Sequence, residues 1–243
     1  MIIVKGVTKT FGRITALKNV SFEIEKGEIV GFLGQNGAGK TTLMRILTSY
    51  LLPTNGSVSV AGKDALRDPL GVRREIGYLP ETPPLYSEMT VKEYLKFAAQ
   101  LKDVKSKYIR VQVDRALDEC RLGQVRRQMI GTLSKGYKQR VGIAQAIVHN
   151  PEVLILDEPM NGLDPVQILH VRKLIKNLEQ SRTVILSTHN LPEIEQIAKR
   201  VLIIKSGEVI ADDSLVNLAQ KYESRNLEEV FLKLVKSKDG NDE

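Results

Sequence analysis

Residues 34–41 read GQNGAGKT, which fits the pattern G-x-x-x-x-G-K-[ST]. The run follows EIVGFLG at 28–34, an apolar segment of strand character. It precedes Leu43, Ile46, Leu47 and Tyr50, spaced three or four apart as on one helix face. Strand, glycine-rich loop and helix in that order admit few architectures. Gly34, Gly37 and Gly39 let the backbone turn so that its N–H groups converge on one point. The helix adds its positive end there. Lys40 brings a charge for the outer phosphates of a nucleotide. Thr41 brings a hydroxyl for Mg²⁺, and Thr42 a further contact. The whole run Gly34, Gln35, Asn36, Gly37, Ala38, Gly39, Lys40, Thr41 and Thr42 is therefore assigned to phosphate binding. The plainer reading, a glycine-rich turn before an unrelated helix, leaves the flanking strand and helix unexplained.

Residues 153–159, VLILDEP, raise a second question: why an apolar run ends in two adjacent carboxylates. A short, wholly apolar run is typical of a parallel strand covered on both faces. Ligands sit at the carboxyl ends of such strands. A nucleotide there needs Mg²⁺, which prefers oxygen ligands and keeps waters. Asp157 fits the metal. Glu158 can turn toward the γ-phosphate as the strand ends, to act on the attacking water as base or orienter. Away from the glycine-rich loop, the pair would read as charges pointing into solvent. His189 follows the apolar run RTVILST at the same edge, where it could bond the γ-phosphate or the water; a structural histidine is the bland alternative. His149 and His170 read as surface or cap residues.

Around these motifs, strand-like segments at 2–8, 19–24, 28–34, 56–62, 74–80, 153–157, 182–187, 201–205 and 207–211 alternate with helical spacing. Helices fit 39–50, 91–102, 107–122 with Gly123 as its stop, 134–150, 165–180 and 191–199. Thr90 and Glu93 form a capping-box pattern. The expected fold is α/β, with a mainly parallel sheet. One domain is expected over 1–236: a core lobe from 1–84 and 151–211, a helical lobe at about 85–150, and C-terminal helices at about 212–236. Residues 237–243 read as a flexible tail.

A net charge of +7 fits a phosphate-bearing partner or nothing more than solubility. Sparse aromatics do not interleave with the basic residues, so a nucleic-acid platform is not expected. No apolar run reaches the length of a membrane span, and the first residues lack the apolar stretch of a signal peptide. Cys120 stands alone, which fits a reducing compartment.

GQNGAGKTT, LSKGYKQR, VLILDEP, NGLD and STHN occur in that order. Over about residues 2–211 the chain resembles the ATP-binding subunits of ABC transporters. The resemblance implies a P-loop NTPase core with an antiparallel β portion at the N-terminus and an inserted helical subdomain. It also implies that two such subunits close around ATP and Mg²⁺. Phe11 stands where the family stacks an aromatic on adenine, with a core Phe as the competitor. LSKG places Ser134, Lys135 and Gly136 in the signature loop, which meets ATP bound to the other subunit. Asp164 falls in the loop that crosses the interface, and His189 matches the switch histidine.

Two motifs depart from the usual pattern. Lys135 and Tyr137 replace the first glycine and the glutamine of LSGGQ, and Glu81 replaces a glutamine that touches metal or water. Glu81 is a candidate metal contact, although a carboxylate only accepts hydrogen bonds and adds negative charge. Both departures resemble the branch that pairs with ABC-2-type membrane proteins, mostly exporters and including gliding-motility-associated ATPases. The expected protein is an ATPase on the cytoplasmic face of the membrane, working as a dimer, with a homodimer favoured, beside separate permease subunits. The alternative is a soluble ABC-type ATPase acting on ribosomes or DNA.

Overall fold

The computed structural model describes residues 1–179 and 181–239. Strands β1 (Ile2–Phe11) and β2 (Ile14–Ile24) form a hairpin that turns at Gly12 and Arg13. Strand β3 (Ile29–Leu33) then leads into the glycine-rich loop and helix α1 (Lys40–Leu47). Strands β4 (Asn55–Val60) and β5 (Lys63–Asp64) complete a four-stranded sheet in the order β2-β1-β4-β5. Helix α2 (Pro69–Glu75) precedes β6 (Ile76–Leu79).

Three helices form the inserted lobe: α3 (Val91–Leu101), α4 (Ser106–Glu119) and α5 (Lys135–Ile147). The chain returns through β7 (Val153–Asp157), α6 (Pro165–Glu179), β8 (Thr183–Ser187), α7 (Leu191–Glu195), β9 (Arg200–Lys205) and β10 (Glu208–Ser214). Helices α8 (Leu215–Lys221) and α9 (Leu227–Asp239) follow. The second sheet runs β10-β9-β3-β8-β7-β6. All its pairs are parallel except β10 with β9.

Every residue of β3, β7 and β8 is buried, because both faces of the parallel sheet are covered. Alternation divides them. Val30, Phe32, Val153, Ile155 and Ile185 pack with α1 and the antiparallel sheet. Ile29, Leu33, Leu154, Leu156, Val184 and Leu186 pack with the helical lobe and α6. Each fully buried Leu or Ile contributes about 1.5–3 kcal/mol relative to exposure. The two-residue period carries Asp157 onto the face of Val153 and Ile155, beside α1.

The lobe is tied to the core by Arg182, which is 4% exposed. Its Nη1 lies 3.1 Å from Glu119 Oε2, and its Nη2 donates to Asn150 Oδ1 at 3.1 Å.

Several boundaries differ from expectation for local reasons. Helix α1 stops at Leu47 because Ser49 turns left-handed (φ 55) and Tyr50 N–H bonds back to Arg45 O at 2.8 Å. Tyr50 therefore leaves the apolar face and is 72% exposed. Arg121 (φ 53), and not Gly123, ends α4 in the same way, with Leu122 N–H bonded to Leu117 O at 2.8 Å. Helix α7 ends at Glu195, short of 199. His149 is half-buried, not at the surface: its Nε2 lies 3.1 Å from Ile76 O, and burial lowers its pKa to about 3. Helix α9 runs on to Asp239, past the start of the expected tail, whose last residues, 240–243, lie outside those described.

Candidate active site

The loop between β3 and α1 is shaped by three glycines with different reasons. Gly37 (φ 81) and Gly39 (φ 108) hold left-handed backbone. Gly34 passes so close to β9 that a Cβ would lie 2.4 Å from Ile204 O. Lys40 is 8% exposed and donates from Nζ to Gly34 O at 2.6 Å and Gln35 O at 3.0 Å, holding the loop closed. Burial lowers the Lys40 pKa, against the pull of Glu158 and Asp157.

The loop opens on a polar cavity of about 460 Å³ lined by Asn36, Lys40, Thr41, Asp157, Glu158 and His189, among others. Asp157 is 6% exposed and accepts a hydrogen bond from Ser187 Oγ on the neighbouring strand β8. Burial raises its pKa, the Ser187 bond opposes this, and Glu158 and Glu81 add to the rise.

Glu158 does not continue the pleat. Its φ of 48 is left-handed, and its N–H bonds to Ser187 O at 3.0 Å. Such backbone in a non-glycine residue costs on the order of 1–3 kcal/mol and clusters at functional sites. The turn puts Glu158 in the same cavity as Asp157. His189 Nδ1 lies 2.9 Å from Glu158 Oε1. A carboxylate only accepts, so Nδ1 carries the proton.

Glu81 and Asn161 also line the cavity. Asn161 Nδ2 donates to Glu81 Oε1 at 3.2 Å, and its N–H bonds to Glu158 O at 3.1 Å. Sequence reasoning missed Asn161. Its one signal was its place three residues after Glu158, opening NGLD.

Phe11 ends β1 and is 46% exposed, so it is not a core residue. Lys9 Nζ sits 5.0 Å from its ring centroid. Phe11 is not among the residues lining the phosphate cavity.

Ser134, Gly136 and Asp164 gather elsewhere, in a cleft of about 470 Å³ that also includes Gln167 and His170. Ser134 caps α5, accepting from Tyr137 N–H at 3.5 Å. Asp164 Oδ1 accepts from Gln167 N–H at 2.8 Å. A Cβ on Gly136 would lie 2.7 Å from Gln167 Cδ, so a side chain there would have to displace the flexible end of Gln167. Lys135 rests its Nζ against Gly162, 2.1 Å from where a Cβ there would lie. The chain thus brings Asn36, Gly37, Gly39, Lys40, Thr41, Thr42, Glu81, Asp157, Glu158 and His189 together, leaves Gly34, Gln35 and Ala38 off that lining, with Gln35 and Ala38 facing a pocket beside β9, and holds Ser134, Gly136 and Asp164 in a separate cleft.

The oxygen donors fit Mg²⁺. Among the described residues no group of three or more His, Cys, Asp or Glu is placed to hold a metal ion. Mg²⁺ suits such a place, since it takes one or two protein oxygens and completes its shell with phosphate and water. Thr41 is exposed at the cavity, and the buried Asp157 carboxylate, with its raised pKa, would be relieved by a cation.

The profile of the ABC transporter family matches residues 17–161. The chain belongs to that family. It is an ABC transporter ATP-binding subunit, a P-loop ATPase. It is 37% identical over 238 residues to the uncharacterized ABC transporter ATP-binding protein YxlF of Bacillus subtilis (strain 168), covering 98% of this chain and 78% of that protein. It is 37% identical over 221 residues to the bacitracin transport ATP-binding protein BcrA of Bacillus licheniformis, covering 89% and 71%.

A solved ATP-binding subunit of an ABC transporter superposes with a TM-score of 0.86 at 30% identity, covering 97% of this chain and 99% of that one. The ATP-binding cassette MJ0796, solved as a dimer in a post-hydrolysis state with ADP and Pi, superposes with a TM-score of 0.79 at 28% identity, covering 88% and 99%. No helix among the described residues of this ABC subunit is long and apolar enough to cross a membrane.

Proposed function

We propose that two copies of this chain close around two ATP molecules, hydrolyse them and separate, driving export through separate membrane subunits. The observation that carries this is the division of the site. The phosphate loop and Glu158 line one cleft, while Ser134, Gly136 and Asp164 line another. Each half is chemically incomplete. A second copy would bring its Ser134, its Gly136 and the positive end of its α5 to the γ-phosphate, with Asp164 crossing the interface. The dimeric, nucleotide-bound state of MJ0796 supports this reading.

The geometry supports the following roles, with that of Phe11 taken from the family resemblance. Loop amides and Lys40 bind the outer phosphates. Thr41 and Asp157 would hold Mg²⁺, with Glu81 as a further oxygen at the rim; the ion supplies positive charge against the β- and γ-phosphates. Glu158 orients the attacking water and takes its proton. The Nδ1–H bond of His189 to Glu158 leaves Nε2 free for the water or the γ-phosphate. Phe11, at the exposed end of β1, stacks on adenine. ATP contacts both halves only in the closed dimer, so it favours closure by differential binding. Hydrolysis removes the bridge.

The membrane subunits would dock on the helical lobe and the Glu81 loop, at the cytoplasmic face. A groove of about 410 Å³ lies there, bordered by Tyr50, Arg73, Tyr78, Pro80 and Lys102. Outward transport rests on the resemblance to the ABC-2 branch, which the similarity to BcrA supports. Purification from detergent-solubilised membranes tests the partner. A polytopic membrane protein in stoichiometric yield is expected, and ribosomal RNA or DNA in its place would overturn the reading.

A further inference from the structure

We infer that Glu193 is a positioning residue for hydrolysis, clamping the residues on both sides of His189 so that the imidazole stays directed at Glu158. The inference rests on the proposed partnership of His189 and Glu158.

Glu193 lies in the first turn of α7 and is 8% exposed. Its Oε1 accepts from Asn190 Nδ2 at 2.9 Å, and its Oε2 meets Thr188 Oγ1 at 3.5 Å. Asn190 N–H donates to the same Thr188 hydroxyl at 3.0 Å, and Glu193 N–H donates to Asn190 O at 3.2 Å. The residue before His189 and the residue after it are thus tied to one carboxylate. His189 itself has a side chain 62% exposed and little packing to orient it. Beyond its bond to Glu158, its direction comes from the chain on either side, which Glu193 holds through the side chains of Thr188 and Asn190.

The clamp has a firm base. Ile194 packs so tightly on β3 that a Cβ on Gly31 would lie 2.8 Å from Ile194 Cδ1. Glu195 Oε1 accepts the N–H of Leu227 at the start of α9. Ile194 and Ile197 beside it supply the apolar packing. The buried carboxylate is costly: burial, then the charge of Glu158, raises its pKa, and Arg172 on α6, the Thr188 hydroxyl bond and His189 only partly offset this. Its acceptors serve the two neighbours of His189.

Steady-state ATP hydrolysis by Glu193→Ala, Glu193→Gln, His189→Ala and the Glu193→Ala/His189→Ala double variant tests this. Glu193→Ala should lower kcat by about 10- to 100-fold, the scale of a misplaced catalytic group, with KM for ATP within about twofold. Glu193→Gln keeps an acceptor for Asn190 and should recover most of the loss. The double variant should be no worse than His189→Ala alone. Multiplying losses, or a raised KM with unchanged kcat, would overturn the inference. Impaired His189→Ala beside normal Glu193→Ala would sink this inference and spare the His189 reading. Normal turnover in His189→Ala would sink both. Should Glu193→Ala fail to fold, Thr188→Val removes the bridging hydroxyl at nearly constant volume; its loss should likewise vanish in the His189→Ala background, and an independent loss would overturn the clamp.

Discussion

His189 Nδ1 lies 2.9 Å from Glu158 Oε1, and the contact is a consequence of strand register. Asp157 is paired with Ser187 at the ends of adjacent parallel strands. One residue beyond that pair on β7, and two on β8, the chain is released from the sheet. The left-handed turn at Glu158 then swings its carboxylate toward the histidine. Removing the charge of Glu158 while keeping its shape isolates the chemistry. Glu158→Gln should bind ATP as the parent does and lose about 100-fold or more in kcat, the range of a general base. Turnover assays beside nucleotide titration check this, and normal turnover would reject Glu158 as the catalytic group.

Lys40 spends its buried ammonium on two carbonyls of its own loop, Gly34 and Gln35. Lys40→Ala removes both the phosphate charge and the brace. Affinity for ATP should fall by tenfold or more, on the order of a lost charge-assisted bond. Calorimetric titration measures it, and unchanged affinity would contradict the phosphate assignment.

Gly77 on β6 leaves no space for a methyl group, because a Cβ would lie 2.1 Å from Ala146 O on α5. Gly77→Ala should destabilise the fold by about 1–3 kcal/mol through overpacking between sheet and helical lobe. Denaturant unfolding reads this directly; parental stability would show that the strand and helix can separate freely.

His149 has a folded pKa lowered to about 3, chiefly by burial, with the charge of Lys102 next. The unfolded chain takes up this proton near the ordinary histidine value of about 6.5, the folded chain only near 3. Between these values the unfolded state holds more protons, so stability is full above pH 6.5 and falls as pH drops toward 3. The slope is at most about 1.4 kcal/mol per pH unit. Glu or Asp groups contribute their own slope, so His149→Gln supplies the comparison: its stability should decline less between about pH 6.5 and 4.5. Parallel declines would contradict the buried neutral imidazole.

Parts of this architecture were readable because each rests on short-range physics. VLILD declares a strand covered on both faces, and the strand is buried at every residue. Thr90 and Glu93 declare a helix start, and both bonds of the capping box form. Helix α2 went unread although Asp68 caps it and Pro69 opens it, because seven residues with only Gly71 and Val72 buried display no period. Tyr50 and Gly123 misled because the stops fall at Ser49 and Arg121, residues that rarely take left-handed backbone. Asn161 and its partner Glu81 are joined across 80 positions of chain, and His149 is half-buried against β6 through Ile76 O. Contacts of that span are set by packing.

The division of the site between two clefts is tested most directly by sedimentation of Glu158→Gln with and without ATP, beside the Glu158→Gln/Ser134→Arg double variant. A shift from monomer to dimer on adding ATP is expected for the first, and a monomer that still binds ATP for the second. A Glu158→Gln chain that stays monomeric with ATP bound, or a double variant that dimerises as readily, would contradict closure of two copies around the nucleotide.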